Sequence, residues 1–374
     1  MKIGILTLPL HTNYGGILQA YALQTVLERL GHEVTLIDKG WPPHYTLFKN
    51  IMIFAKNVIK KFLNRGEHLS WHRIFFGNKE IEAEHEQTFK FVKKYIKRKV
   101  VPNLYSIREG EYEGFVVGSD QIWREHHYRP IENAFLDFAK EWSVKRVSYA
   151  ASFGTDEWEY SKEQTFLCSS LIKKFDGVSV RESDAVNLCK QYLEQDAIHV
   201  LDPTLLLSPT DYIKNIKIEN EPKSKGNFLV YILDMTEEKQ LIVDYLSEKY
   251  HLTPFVVNSK CEDKSQPLSE RIQPPVEQWL RGFYDARFVF TDSFHACAFA
   301  INFNKPFFVF GNKKRGMSRF ESLLNTFGLT NRLVQSKSEV EKSTSQEIDW
   351  NSVNNKLIQN REKSLSFVIR NLKY

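Results

Sequence analysis

KIGILTLPLHTNYGGILQAYALQTVLERLGHEVTLID, residues 2–38, decides the fold. Lys2–Leu8 is a short apolar run, His11–Gly16 is a turn rich in Asn and Gly, and Ile17–Leu30 carries apolar residues at helical spacing. Gly31 supplies the residue that ends a helix, and Glu33–Asp38 (EVTLID) reads as a second strand. A strand, a helix and a strand in so short a stretch close as a right-handed crossover, which sets two parallel strands in one sheet.

Outward from this unit the rhythm breaks and resumes. Residues 41–110 form a basic stretch read as helical. Strands are then expected at Gly114–Gly118, Arg146–Ala151, Gly177–Val180 and Ile198–Leu201. Lys214–Lys225 (KNIKIENEPKSK) reads as a linker. Beyond it the pattern returns at Asn227–Leu233, Thr253–Asn258, Phe288–Thr291 and Pro306–Phe310, with helices between. Ser336–Gln346 reads as a polar loop before a last helix. The expected architecture is α/β, with two Rossmann-like lobes facing a central cleft. The first lobe covers 1–213 with a helical basic insertion at about 41–110, the second covers 226–350, and a helix closes the chain over 351–374.

At 374 residues, and about 150 per domain, two domains are expected. Hydrophobic residues make up 42% and charged residues 26%, which excludes a disordered or fibrous chain. Lys and Arg number 51 against 46 Asp and Glu, a net charge of +5. That is too little for a nucleic-acid binder, but it suits anionic substrates or an anionic membrane surface. Cys168, Cys189, Cys261 and Cys297 lie far apart with no CxxC pair, so neither a disulfide scaffold nor a structural zinc is expected. The opening MKIGILTLPLHT has no small-residue cleavage site after it, and no run approaches the roughly 18 apolar residues of a membrane span. A cytoplasmic protein is expected.

Polar residues gather where strands end. Thr12–Gly16 (TNYGG) joins a strand to a helix N-terminus, where free amides and the helix dipole favour anions and polar groups. Its glycines admit a close ligand, or merely close a tight turn; the spacing is not GxGxxG, and no nicotinamide cofactor is expected. Gly118-Ser119-Asp120-Gln121 can orient sugar hydroxyls or cap the next helix. Val178-Ser179-Val180-Arg181 ends in a guanidinium that can grip phosphate or carboxylate, or pair with Glu182 or Asp184. In Phe290-Thr291-Asp292-Ser293-Phe294-His295, the histidine opens the apolar helix ACAFAI (296–301), beside the Ser293 hydroxyl. It reads as a proton donor to a bound anion or as a structural residue.

Lys313, Lys314, Arg315 and Arg319 put four cations in seven residues. The lysines read as a solvated loop and Arg319 as the ligand candidate. Residues 47–65 (LFKNIMIFAKNVIKKFLNR) place Leu47, Ile51, Phe54, Val58 and Phe62 on one helical face and Lys49, Lys56 and Lys60 on another. Such a helix packs on its own domain or lies peripherally on an anionic membrane.

Six pieces in order resemble the polysaccharide pyruvyl transferase family: NYGGILQAYALQ (13–24), GSDQIW (118–123), VSVRESDA (178–185), LDPTLLL (201–207), TDSFHACAFAINFNKP (291–306) and SRFESLLNTFGLTNR (318–332). The resemblance implies a GT-B-like pair of lobes and transfer of pyruvate from phosphoenolpyruvate to a sugar as a cyclic ketal, with phosphoenolpyruvate as co-substrate and no cofactor or metal. Arg181 would bind the donor and His295 would be the acid beside it. Family members can carry Arg two residues before this His, and here that position is Ser293. Arg319 is the expected replacement cation, with Ser293 and Phe294 beside the donor. Asn13, Tyr14, Gly15, Gly16 and Gln121 would hold the acceptor from the opposite lobe, and Asp120 would take a hydroxyl proton. The acceptor would be a sugar or a lipid-linked oligosaccharide. The alternatives are a GT-B glycosyltransferase using a nucleotide sugar, and a non-catalytic sugar-binding protein of polysaccharide assembly.

Overall fold

The computed structural model describes residues 1–39, 71–261, 263, 265–311 and 316–373, the side chains of 71–79 excepted. Seven parallel strands build the first sheet: β1 (Lys2–Leu6), β2 (Glu33–Asp38), β3 (Arg98–Val100), β4 (Gly114–Val117), β5 (Lys145–Ala151), β6 (Gly177–Val180) and β7 (Ile198–His199). Their order is β3-β2-β1-β4-β5-β6-β7. Ile3 pairs with Val34 on one side and Gly114 on the other. Five parallel strands build the second: β8 (Phe228–Tyr231), β9 (Pro254–Phe255), β10 (Phe288–Thr291), β11 (Phe307–Phe310) and β12 (Leu333–Val334), ordered β12-β11-β10-β8-β9.

Helices cover both sheets. In chain order they are α1 (Tyr14–Arg29), α2 (Trp71–Tyr95), α3 (Lys162–Ile172), α4 (Ser183–Leu193), α5 (Pro209–Ile216), α6 (Glu237–Tyr250), α7 (Leu268–Arg271), α8 (Val276–Asp285), α9 (Phe294–Asn302), α10 (Met317–Phe327), α11 (Lys337–Ser343) and α12 (Trp350–Asn371). Every residue of β4 (GFVV), β8 (FLVY) and β10 (FVFT) is buried, as a parallel strand clad on both faces requires. α9 is apolar and buried over its whole length, because it runs through the core.

The strand order fixes where a ligand fits. In each sheet the chain reverses its direction of winding once: between β1 and β4 in the first, between β8 and β10 in the second. At such a switch point the connections leave in opposite directions and open a crevice beyond the strands' carboxyl ends. Both crevices contribute to one cleft. The lobes are not merely adjacent, since one apolar cluster joins Ile3, Tyr14 and Ile17 to Leu229, Trp279 and Phe283. α12 crosses back to the first lobe's last segment: Arg361 donates to the Leu207 carbonyl (3.0 Å), and Leu201 N donates to Ser364 Oγ (3.1 Å).

Several expectations are corrected. The stretch read as a polar loop at 336–346 contains α11, whose start Ser336 caps by accepting from Glu339 N. The linker segment begins inside α5 and continues through a short 3₁₀ turn, Ile218–Asn220. Within 41–110, α2 is helical as expected, but β3 (RKV) is an edge strand whose polar residues hid it. The helix at 47–65 and the cations Lys313, Lys314 and Arg315 lie outside the described residues. Among the described residues no helix is long and apolar enough to cross a membrane. All four cysteines are buried, and none is in a disulfide.

Candidate active site

A cleft of about 820 Å³ opens between the lobes. Loops after β1 and β4 form one wall, and the end of β8 with the β10–α9 junction forms the other. Asn13 begins the first wall as the N-cap of α1, its Oδ1 accepting from Gly16 N at 3.2 Å. Its Nδ2 donates to Asp120 Oδ2 at 3.5 Å. Asp120 follows β4 with φ at +65°, a left-handed conformation that aspartate tolerates better than most residues. Its main chain is tied to the next strand, with Ser152 N donating to its carbonyl at 3.1 Å. The backbone therefore holds the carboxylate in place whatever binds.

His295 enters from the other wall, in the first turn of α9. Gly15 is what lets it in: a Cβ on residue 15 would stand 2.0 Å from His295 Nδ1. The imidazole lies over the bare backbone of α1, so the glycine serves a contact across the cleft. His295 Nε2 points away from the cleft toward Asp202 Oδ2, 3.6 Å distant. Asp292, at the end of β10, is tied up elsewhere: it accepts from Leu233 N (2.8 Å) and from Lys239 Nζ (2.7 Å), fixing the loop after β8.

Arg181 sits behind the first wall and does not line the cleft. It is 4% exposed and gives its Nε to Glu182 (2.9 Å) and its Nη1 to Asp202 (3.0 Å), with Asp120 at 3.6 Å. The structure thus places the expected donor ligand behind the cleft surface, where three carboxylates occupy its guanidinium and it braces the wall. Tyr14 and Gly16 also miss the cleft. Tyr14 OH donates to the Pro274 carbonyl (2.8 Å) and its ring stacks on Trp279, so it is a strut between the lobes. Gly16 is buried in the first turn of α1. Asn13, Gly15, Asp120, Gln121, Ser293, Phe294, His295 and Arg319 do line the cleft.

Arg319 projects from α10, whose N-cap Gly316 adopts φ +86° where a Cβ would come within 2.4 Å of the Gly154 carbonyl. That close approach joins the two lobes near the base of α10. Burial, then the neighbouring positive charge of Arg181, pushes the Arg319 guanidinium down to about 10. An anion beside it would offset both effects. Burial raises the Asp120 carboxyl, yet the charges of His295, Arg181 and Arg319 outweigh this and hold it below the usual range. Asp202 is held low in the same sense: burial opposes the charged form, and His295 and Arg181 override it.

Several lining residues escaped the sequence reading, among them His11, Lys260, Gln273, Arg124 and His127. Arg124 donates to Gln121 Oε1 (3.0 Å) and grips both oxygens of Glu159 (3.3 and 3.2 Å). His127 lies near it and is lowered by burial and then by Arg124. Both follow GSDQIW directly in the run REHH, a cluster of charge after a buried tryptophan that was available as a signal.

The two-lobed arrangement is that of GT-B proteins. UDP-GlcNAc 2-epimerase from Neisseria meningitidis superposes with a TM-score of 0.51 at 10% identity, over 100% of this chain and 99% of that one. A Rickettsia africae glycosyltransferase aligns at a TM-score of 0.45 and 11% identity, over 100% of this chain and 94% of that one. At such identity the likeness to the epimerase concerns the fold alone. No curated protein matches the sequence. The family model for polysaccharide pyruvyl transferase matches residues 13–314, and the chain belongs to that family.

Proposed function

We propose that the protein moves pyruvate from phosphoenolpyruvate onto two hydroxyls of a sugar in a surface polysaccharide or its lipid-linked precursor, closing a cyclic ketal. The observation that carries this is His295, set in the cleft between Gly15 and Asp202 in a chain of this family. The cleft volume lies toward the upper end of the range for small-molecule sites, roughly 300–1,000 Å³, which leaves room for a sugar beside a three-carbon donor.

The second lobe (226–350) takes the donor. Its phosphate and carboxylate lie against Arg319, Ser293, Phe294 and the amino end of α9, with Arg124 reaching across from the first lobe as the second cation that Ser293 does not supply. The first lobe (1–213) takes the acceptor through Asn13, Gly15 and Gln121. His295 protonates the methylene carbon, leaving positive charge at C2. One sugar hydroxyl attacks C2 and passes its proton to Asp120. A second hydroxyl then displaces phosphate and closes the ring. The arginines stabilise charge on the departing phosphate, so no metal is required. Lobe closure keeps water from the cationic carbon. The donor is a cytoplasmic metabolite, and cytoplasmic placement belongs to the same proposal.

Calorimetric titration with phosphoenolpyruvate tests the donor. Saturable binding is expected, weakened about tenfold or more in Arg319→Ala, since a charged hydrogen bond is worth about 1.5–3 kcal/mol. Binding of a nucleotide sugar and silence toward phosphoenolpyruvate, with or without galactosides or mannosamine derivatives present, would transfer the protein to the glycosyltransferases. In a phosphate-release assay Gly15→Ala is expected to lose about 100-fold, because the new methyl displaces the imidazole. Wild-type turnover in that variant would mean that His295 works from another position.

A further inference from the structure

The ring of His295 meets two environments. Nε2 has no contact with solvent, while the residue as a whole lines the cleft. The Nδ1 edge lies over Gly15, a residue of the cleft wall. Asp202, 2% exposed, is the group that Nε2 faces. That carboxylate cannot turn away. Its Oδ1 accepts from Thr204 N (3.0 Å) and Thr204 Oγ1 (2.8 Å), and its Oδ2 from Ser119 Oγ (3.1 Å) and Arg181 Nη1 (3.0 Å). An imidazole with its proton on Nδ1 would aim the Nε2 lone pair at this fixed negative charge. The opposite tautomer aims an N–H at it.

The charges around the pair point the same way. On the first lobe stand Asp120 and Asp202 with Arg181 and Glu182 behind them, and Arg124 paired with Glu159. From the second lobe come Arg319, the Asp292–Lys239 pair, which cancels itself, Lys260 paired with Glu270, and Asp263. Around the His295–Asp202 pair itself, the four carboxylates of Asp120, Asp202, Glu182 and Glu159 meet the three guanidinium groups of Arg124, Arg181 and Arg319. His127 and His11 are the other histidine rings of the cleft: His127 lies on the Arg124 side, and His11 stacks on His85.

We propose that Asp202 is a positioning residue that holds a proton on His295 Nε2, so that every proton exchanged with substrate passes through Nδ1. The catalytic meaning of this assignment rests on the pyruvyl-transfer reading above. Nδ1–H gives its proton to the methylene carbon, and the neutral ring, still protonated on Nε2, is left with a lone pair on Nδ1. That lone pair takes the proton of the second hydroxyl as the ketal closes and phosphate leaves. The proton that Asp120 took from the first hydroxyl departs on phosphate. Two hydroxyl protons are lost, one carbon and one phosphate each gain one, and the enzyme returns to its starting state.

Nitrogen and carbon NMR of the histidine-labelled full-length protein tests this without any acceptor, with His295 assigned by its absence from His295→Gln. In the wild type the neutral ring is expected as the Nε2–H tautomer. In Asp202→Asn the neutral ring is expected to lose its preference for that tautomer, so that Nδ1–H rings appear beside Nε2–H ones. A wild-type ring carrying its proton on Nδ1 overturns the proposal, and this holds even if the Asp202 variant fails to fold. A folded variant that keeps the pure Nε2–H tautomer overturns it too. The two readings fail separately. An Nε2–H ring in a protein that never releases phosphate from phosphoenolpyruvate removes only the pyruvyl-transfer reading. Full turnover with an Nδ1–H ring removes only the role of Asp202.

Discussion

His295→Ala is expected to lower turnover by about 10²–10⁴-fold, the usual worth of a general acid, while the protein melts within a few degrees of the wild type. The basis is geometric. His295 is 6% exposed and sits where both walls of the cleft meet, with Gly15 over one edge and Asp202 behind the other. Removing the ring leaves space between two helix starts but breaks no hydrogen bond within the first lobe. Donor binding should survive within a few-fold, because Arg319 and the α9 amino end remain. Phosphate release from phosphoenolpyruvate, in the presence of an acceptor that supports the wild type, is the measurement. An alanine variant as fast as the wild type would take His295 out of the chemistry.

Arg181→Met is expected to do the reverse, damaging the fold first. Its guanidinium is surrounded by Glu182, Asp202 and Asp120, and it faces the Phe294 ring at 4.3 Å. Taking away the cation leaves three buried carboxylates facing one another without their common partner. Breaking such a buried arrangement from one side costs about 3–5 kcal/mol. For a chain of 374 residues that is a fall in melting temperature of roughly 4–6 °C. Thermal unfolding followed by circular dichroism reads it directly. If the variant instead melted like the wild type and lost only its affinity for phosphoenolpyruvate, Arg181 would be a donor ligand and the brace would be the wrong description.

These two residues also mark what could be read along the chain. Both stand at the carboxyl end of a parallel strand, and the strand was visible in each case: GVSV before Arg181 and FVFT before His295. Arg181 nevertheless turned inward. Which way a strand-end side chain turns depends on what faces it, and Asp202 and Asp120 reach it from other strands. Tyr14 shows the same limit, since its hydroxyl finds Gln273, 259 residues along the chain. Nothing near NYGG announces that partner. Arg124 and His127 were missed for a different reason: they belong to an irregular segment after β4, where no period exists to read.

By itself the sequence determined the two parallel sheets, the turns at their carboxyl ends and hence the polar residues available to a cleft. Buried parallel strands require unbroken apolar runs, and the loops between them must hold the turn formers and the charges. Only the tertiary structure decided which of those residues share the cleft and which serve as braces. Hydrogen-bond and charge satisfaction is settled among groups brought together from distant segments. Gly15 could be read as a turn residue, but that it makes room for His295 follows only from the packing of one lobe on the other.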